Sequence, residues 1–265
     1  MHELFPFAVL TAIIAGLVDL DSTAAWQVMI SQPVVAAPLT GLFLGNFADE
    51  ASAGLKLGLV VGTILQLVWI EQLPLGMNVP PDAALASVIS VGLGFLAGRP
   101  YETYVEREVC NTVALLVAVA LGLVGRSMDI WIRRLNNAID TWVCGRIAEG
   151  DLRSVEVGHT LGGLLTFTKA FLFCFFVIMG GVEPLRYFTQ SLNFNQNTGF
   201  IVIQGLLPAV GFAVLASRVI ENRRERLAAI GGVFAFTFLP AWWVIPIGAA
   251  AFIAWRMTAT TAHSA

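Results

Sequence analysis

The sequence predicts an all-α, polytopic membrane protein with about seven to nine transmembrane or re-entrant helices and one amphipathic cytoplasmic helix. The first observation behind this class is composition. Of 265 residues, 57% are hydrophobic and only 12% are charged, whereas soluble domains carry about 25% charged residues. The second is a mean hydropathy of +0.78. The third is that apolar residues gather in runs about as long as a helix needs to cross a bilayer.

The apolar runs divide the chain into candidate helices within a single membrane domain, residues 1–265. They cover 4–18, 26–47, 53–70, 83–98, 109–125, 161–182, 199–217 and 227–255. Runs 4–18 and 83–98 are shorter than the practical minimum of about 17 residues, so each is expected to be tilted, extended by its flanks, or re-entrant. The last run contains Pro240 and Pro246 and forms either one kinked span or two half-spans.

The first run is expected to be an uncleaved membrane helix rather than a signal peptide. A signal peptide carries a positively charged segment before its apolar core, and the first lysine or arginine of this chain is Lys56. Arginines then orient the predicted topology, because five lie within 126–153 and four within 218–226, and the positive-inside rule assigns both segments to the cytoplasm. Counting back through five crossings puts the N-terminus outside, provided that every short run spans.

Segment 126–155 differs from the apolar runs. Its apolar residues recur at helical spacing, while arginine, aspartate and asparagine occupy the other face. This pattern predicts an amphipathic helix that lies on the membrane, against a partner, or packed on its own protein as a connector.

Glycines at four-residue spacing predict where helices meet. Gly54, Gly58 and Gly62 form a continuous GxxxGxxxG pattern. Because lipid provides no hydrophobic force between helices, close backbone approach at such glycines supplies much of the packing. The same spacing recurs at Gly41 with Gly45, Gly94 with Gly98, and Gly158 with Gly162.

Several function classes are excluded by what the chain lacks. A net charge of −3 provides no basic surface for nucleic acid. The cysteines are far apart and form no CxxC pair, so neither a disulfide framework nor a zinc site is indicated. No HExxH, GxSxG, Walker or paired-carboxylate motif occurs, and no cofactor is expected. A membrane protein without reactive groups is most plausibly a carrier or channel.

Two lysines inside apolar runs and one histidine at a run boundary are candidates for a translocation path or for charge pairing. An ammonium at the bilayer centre costs at least about 2.5 kcal/mol, so each lysine has a partner, borders a wet cavity, or snorkels to the interface. Snorkelling suits Lys56, which lies near the start of its run, better than Lys169, which lies mid-run. His159 lies at the mouth of the same run as Lys169.

The most informative stretch joins two apolar runs with prolines and polar side chains. Pro74, Pro80 and Pro81 prevent a regular helix, and non-helical backbone at membrane depth is buried in protein or lines an aqueous space. Amides and carboxylates suit the hydroxyls of a sugar, and an indole suits the apolar face of its ring. The candidate substrate-binding residues are therefore Gln66, Trp69, Glu71, Asn78 and Asp82. The competing interpretation is an ordinary external loop in which Asp82 only caps the next helix.

Residues 32–90 resemble the IIC permease subunit of the mannose/fructose/sorbose branch of bacterial sugar phosphotransferase systems. In that family a Gly-Thr/Ala-x-x-Gln/Glu-Leu run leads through a Gly/Pro-rich loop into Pro-x-Asp-x-x-Leu-Ala. The matching residues are Gly62, Thr63, Gln66, Leu67, Pro80, Asp82, Leu85 and Ala86. Segment 148–171, with His159 and Lys169, and segment 205–219 also resemble the family.

The resemblance implies a permease that takes up a hexose-like sugar across the bacterial cytoplasmic (inner) membrane. Family members pair with a second membrane subunit, IID, and have an elevator-like moving part. Soluble IIA and IIB proteins carry the phosphohistidines and phosphorylate the sugar, so the chain itself is not expected to be an enzyme. Glu71, Pro74 and Met77 depart from the family pattern. They motivate an alternative, a non-transporting scaffold or regulatory homologue; a non-sugar channel is a third possibility.

Overall fold

The computed structural model describes residues 2–69, 79–220, 222 and 225, and within them the chain is α-helical with no strand. The helices are α1 (Leu4–Thr23), α2 (Pro33–Phe47), α3 (Ala51–Val68), α4 (Ala83–Gly98), α5 (Tyr104–Ala148), α6 (Arg153–Ser191) and α7 (Phe194–Val219). The chain divides into two compact units, Met1–Gly211 and Phe212–Ala265, and the site described below belongs to the first. The predicted all-α, polytopic class is confirmed.

Five of the described helices, α1, α3, α5, α6 and α7, are long and apolar enough to cross a membrane. The other two, α2 and α4, have 15 and 16 residues, or about 22–24 Å at 1.5 Å per residue. Both are shorter than the ~30 Å hydrocarbon core of a bilayer. The predicted run 227–255 lies outside the described residues.

The helix predicted for the apolar run 26–47 is wrong at its beginning, because α2 starts only at Pro33. The backbone before it forms a turn in which Trp26 and Met29 have φ values of 54° and 69°. Asp21 stabilises this turn, since its carboxylate accepts from the amides of Val28 (2.7 Å) and Ser31 (2.9 Å). A carboxylate that satisfies turn amides competes with helix formation, and a proline at the first helical position starts the helix after it.

Helices α2 and α3 form a hairpin with their backbones in contact, as the glycine spacing predicts. A Cβ added at Gly41 would meet the carbonyl oxygen of Gly54, and a Cβ at Gly54 would meet the carbonyl oxygen of Gly41. A Cβ at Gly62 would lie 2.6 Å from the carbonyl oxygen of Pro33. Each obstacle is backbone, which cannot rotate out of the way, so these positions require glycine.

Helix α4 is the centre of the bundle. Every residue from Ala84 to Gly98 is buried, and the helix contacts α1, α2, α3, α5 and α6. A helix that is apolar on all sides is expected in the interior rather than at a surface. Its buried Ser87 donates to the carbonyl of Ala83 at 2.7 Å, which satisfies its hydroxyl within the helix.

Helices α5 and α6 are antiparallel and much longer than a bilayer is thick. They contain 45 and 39 residues, or about 68 and 58 Å. A turn with Gly150 at φ +88° joins them. Predicted segment 126–155 is therefore not a separate helix but the second half of α5, the turn and the beginning of α6. We call residues 126–148 with 153–163 the arm.

The arm packs one face on itself and exposes the other. Ile139 and Val143 lie against Gly158, where a Cβ would be 2.5 Å from a Val143 methyl group. Trp131 and Trp142 on the outer face are 64% and 46% exposed. The arm is thus a connector that packs on its own protein on one side. Within the described residues, nothing buries the two indoles on its outer face.

Helix ends meet at two levels of the bundle. At one level, Arg99 at the end of α4 pairs with Glu50 before α3 at 3.0 Å. There Arg186 of α6 also donates to the carbonyl of Leu96, near the end of α4, at 2.7 Å. At the other level lie the ends of α1 and α3 and the beginning of α4, and from there α5 and α6 continue into the arm. The candidate site lies at this second level.

Replacing Gly54 by alanine is expected to lower the free energy of unfolding by about 1–3 kcal/mol, because the new methyl group meets the Gly41 carbonyl. The matched control is Gly145→Ala in the arm, where nothing lies within 4 Å of an added Cβ. That change is expected to stabilise the helix by about 0.5–1 kcal/mol. Thermal unfolding in detergent measures both, and equal effects of the two substitutions would contradict the backbone contact.

Candidate functional site

Asp82 fixes the beginning of α4. It follows Pro80 and Pro81, and its Oδ1 accepts from the amide of Leu85 at 2.9 Å as the N-cap. Its own amide donates to the carbonyl of Gly122 in α5 at 3.0 Å. A Cβ at Gly125 would lie 2.7 Å from the Cβ of Asp82, so α5 approaches the cap only because glycine stands there. The capping role predicted for Asp82 is confirmed.

Lys169 of α6 joins three carboxylates from three other helices or their ends. Its Nζ lies 2.8 Å from Asp19 Oδ2, 3.2 Å from Asp82 Oδ2 and 2.6 Å from Asp129 Oδ1. The pairs with Asp82 and Asp129 are hydrogen bonds. The Asp19 oxygen is close enough to the same ammonium to form an ion pair with it. We call these four residues the Lys169 cluster.

Burial makes the Lys169 cluster energetically demanding. The side chains of Lys169 and Asp19 are each 3% exposed and that of Asp82 is 4% exposed. Transfer of a charge out of water costs several kcal/mol per ion unless a partner and further hydrogen bonds compensate it. With its groups ionised, the cluster has one positive charge against three negative charges. Lys169 is therefore the group on which the other three depend.

The three carboxylates have the spacing of a metal site, with oxygens within 4.8 Å of one another. Hard cations such as Ca²⁺ and Mg²⁺ favour such oxygens. The Lys169 ammonium, however, already lies 2.6–3.2 Å from one oxygen of each carboxylate. The arrangement is therefore that of an ion-pair cluster around the Lys169 ammonium.

A cavity of about 690 Å³ opens beside the Lys169 cluster, between the bundle and the arm. This volume falls within the range of about 300–1,000 Å³ typical of small-molecule sites. The beginnings of α2 and α4 and the end of α3 form one wall, and α5 and α6 form the other. Its polar lining includes Gln32, Gln66, Trp69, Asp82, Asp129, Arg133, Asn136, Asp140, His159 and Thr166.

Gln66 is held on the cavity wall by two contacts with the beginning of α2. Its Nε2 donates to Gln32 Oε1 at 3.2 Å, and its Oε1 accepts from the amide of Val34 at 3.4 Å. The half-buried Trp69 follows one turn later, and its ring lies 3.4 Å from the position of a Cβ on Gly122. An amide pair and an indole therefore face the same space.

The structure brings together four of the residues selected from the sequence. All four line the cavity: Gln66, Trp69, Asp82 and His159. His159 belongs to the arm, and its side chain is exposed. Lys169 lies behind the wall, joined to Asp82 and Asp129. Glu71 and Asn78 lie outside the described residues. The substrate-binding role of Gln66, Trp69 and Asp82 stays a prediction, and so does the role of His159 in a translocation path or in charge pairing.

Lys56 lies elsewhere. It lines a second cavity of about 760 Å³, between α3, α4, α5 and α7, where its Nζ lies 5.6 Å from the centre of the Tyr104 ring. The side chain is exposed. A lysine over an aromatic face has a cation–π partner, and this position is remote from the Lys169 cluster.

Sequence reasoning missed Asp19 and Asp129, which supply two of the three partners of Lys169, and also Gln32. Signals for the two carboxylates exist in the sequence. Asp19 directly follows the apolar run 4–18, and Asp129 stands on the polar face of segment 126–155. A mid-run lysine demands a buried carboxylate, but sequence alone does not choose among the 18 acidic residues.

Replacing Lys169 by methionine is expected to lower the free energy of unfolding by about 3–5 kcal/mol, because buried carboxylates lose their only cation within hydrogen-bonding distance among the described residues. The control is Lys56→Met, which removes an exposed ammonium and is expected to change stability by less than about 0.5 kcal/mol. The yield of folded protein after detergent size-exclusion chromatography and its unfolding temperature report the difference. A Lys169→Met protein as stable as Lys56→Met would show that the cluster does not hold the fold.

Comparison with known proteins identifies relatives along most of the chain. A sequence model of the family described as "PTS system sorbose-specific IIC component" matches residues 6–259. The chain is 24% identical over 184 residues to the fructose permease IIC component of Bacillus subtilis, covering 69% of this chain. It is 23% identical over 185 residues, again 69% of this chain, to the mannose-specific EIIC component of Escherichia coli K12.

The chain spans 62% and 63% of the lengths of these two relatives. A shorter match, 31% identical over 90 residues, is to a putative N-acetylgalactosamine permease IIC component 2 of E. coli K12; it covers 34% of this chain and 57% of that protein. Among solved structures, one titled "Structure of membrane protein" has a TM-score of 0.65 at 17% identity and covers 96% of this chain and 95% of its own. That likeness supports the fold alone.

Proposed function

The chain belongs to the family of sorbose-specific IIC components of the PTS system, and we propose that it is the membrane permease subunit of a bacterial sugar phosphotransferase system. In this role it binds a hexose-like sugar and moves it across the cytoplasmic (inner) membrane. The single observation that carries the proposal is the cavity of about 690 Å³ beside the Lys169 cluster. Its lining has the chemistry that a polyhydroxylated ligand requires.

The cavity offers three kinds of contact to a sugar. The Gln66 and Gln32 amides supply donors and acceptors at one edge. Carboxylates from Asp82 and Asp129 border it on another side, and carboxylates accept hydrogen bonds from hydroxyl groups. Trp69 provides an apolar face of the kind that packs on the C–H side of a sugar ring. Glu71 and Asn78, which lie outside the described residues, belong to the proposed set from the sequence alone.

Two helices begin at the cavity, which adds to its polarity. The N-terminal ends of α2 and α4, at Pro33 and Ala83, both lie in its wall. The first N–H groups of a helix have no partner within that helix, and the helix dipole adds partial positive charge there. In transporters, short interrupted helices with ends near the bilayer centre are a recurring way to build a substrate site.

The phosphoryl-transfer chemistry belongs to partners in this proposal. Among the described residues that line the cavity, His159 is the one histidine. Its side chain is exposed, and no hydrogen bond within the described residues joins it to a group that could accept or supply its proton. We therefore assign the phosphocarrier steps to soluble IIA and IIB proteins and assign membrane assembly to a IID subunit. The outer face of the arm, with Trp131 and Trp142, is available for such a contact. Sugar binding then shifts the equilibrium between outward- and inward-facing states.

Replacing Gln66 by alanine is expected to raise the KM for sugar uptake about three- to tenfold, which corresponds to the loss of one or two neutral hydrogen bonds. The measurement is uptake of a panel of labelled sugars in cells that carry IIA, IIB and IID together with this chain. The matched control is Gln204→Ala, since Gln204 lines the second cavity and donates to Glu108 at 2.9 Å; its KM is expected to stay unchanged.

Three outcomes separate the candidate functions. Uptake that is undiminished for every sugar in the Gln66→Ala cells would contradict the assignment of this cavity. Wild-type cells that take up none of the sugars would favour the non-transporting scaffold. Ion conductance by the purified chain in liposomes without partner proteins would favour a channel, because the permease has no free pore.

A further inference from the structure

The carboxylates of the Lys169 cluster differ in their access to the cavity. The side chains of Asp19 and Asp82 are 3% and 4% exposed, whereas that of Asp129 is 30% exposed. Asp82 and Asp129 line the cavity, and Asp19 and Lys169 do not. Of the two carboxylates that line the cavity, that of Asp129 is therefore the more accessible to a ligand.

The oxygens of these carboxylates also differ in what they already bind. In Asp82, Oδ1 accepts from the Leu85 amide and Oδ2 accepts from Lys169. In Asp129, Oδ1 accepts from Lys169 at 2.6 Å. Within residues 2–69 and 79–220, no hydrogen bond reaches its second oxygen. Asp129 thus retains one oxygen that accepts no hydrogen bond within these residues. In Asp82, each oxygen already accepts one.

Lys169 holds Asp129 in this orientation. The 2.6 Å contact joins an ammonium to a carboxylate, and charge-assisted hydrogen bonds of this kind are short and strong. Lys169 is itself fixed from behind by Asp19 at 2.8 Å. An acceptor that is held before the ligand arrives loses little conformational freedom on binding. The neighbouring residues on the same face of α5, Ile132, Arg133 and Asn136, line the same cavity.

We propose that Asp129 is a substrate-contacting residue that accepts a hydrogen bond from a hydroxyl group of the ligand, and that Lys169 is its positioning residue. The inference rests on the proposed sugar-binding function and adds two roles to it. Asp82, which the sequence selects as a sugar ligand, then acts chiefly as the cap of α4 and as a second anchor for Lys169. A free carboxylate oxygen disfavours anions, which agrees with the neutral sugar of the proposed function.

The test compares Asp129→Asn with Asp19→Asn. Both substitutions keep the size of the side chain and remove one negative charge next to the same ammonium, but only Asp129 faces the cavity. In cells with the full set of partners, Asp129→Asn is expected to raise the KM for the best-transported sugar about tenfold, with the maximal rate within twofold. Asp19→Asn weakens the anchor of Lys169 but leaves the acceptor of Asp129 in place, so it is expected to raise KM by no more than about twofold. The amount of folded protein is measured for both variants.

Asp129→Glu keeps the negative charge and displaces the carboxylate by one methylene, so it tests the contact if the asparagine variant does not fold. Its KM is expected to rise as well, by about threefold or more. A KM that is unchanged in Asp129→Glu, or that rises equally in Asp129→Asn and Asp19→Asn, would overturn the inference while leaving the proposed function intact. Wild-type cells without uptake would instead overturn both.

The positioning role of Lys169 is tested with Lys169→Arg, which keeps the positive charge but changes its geometry. If Lys169 acts through Asp129, the KM of the Lys169→Arg/Asp129→Asn double variant is expected to equal that of Asp129→Asn alone within twofold. Lys169→Arg alone is expected to raise KM by about threefold or more, so equality of the double variant with Asp129→Asn would show that this effect passes through Asp129. Increases in KM that multiply in the double variant would overturn the positioning role.

Discussion

The constraint on which this structure depends is the need to neutralise a lysine in the middle of an apolar helix. Lys169 meets this need by drawing together Asp19, Asp82 and Asp129 from three different elements. One contact point therefore fixes the end of α1, the beginning of α4 and the level at which α5 crosses α6. Since each partner is costly to leave unpaired in a low dielectric, these elements are coupled to one another. Asp82 and Asp129 form part of the cavity wall, so the wall depends on the same contacts.

Two different interactions hold the two sides of the cavity. On the α2/α3 side, glycines bring the helix backbones into contact, and this packing requires no charge. On the α4/α5/α6 side, ion pairs connect the helices, and Gly125 allows α5 close enough to Asp82 for the contact to form. The Gln66 and Gln32 amides lie on the first side, and the carboxylates lie on the second. A ligand in the cavity would therefore lie between the α2/α3 hairpin and the helices α4, α5 and α6.

Family membership and the chemistry of the site support the same proposal. Among the described residues, the cavity lining offers carboxylates, amides and an indole, and these groups suit the sugar-binding role that we propose. The long arm extends the same two helices that carry Asp129 and Lys169. A partner that contacts the arm is therefore connected through continuous helix to the cavity wall. In the function that we propose, this continuity offers a route by which a partner bound to the arm would act on the cavity wall.

The sequence by itself determined the helical membrane class, the cap at Asp82 and the glycine contacts, because hydropathy, capping and close packing are local or periodic properties. It also placed Gln66 and Trp69 near Asp82, since a short proline-containing segment joins them. Only the tertiary structure decided that Asp19 and Asp129 are the partners of Lys169 and that Lys56 belongs to another cavity. These pairings join residues 40 to 150 positions apart in the chain. An isolated lysine demands a counter-charge, but only the three-dimensional course of the helices selects which carboxylates reach it.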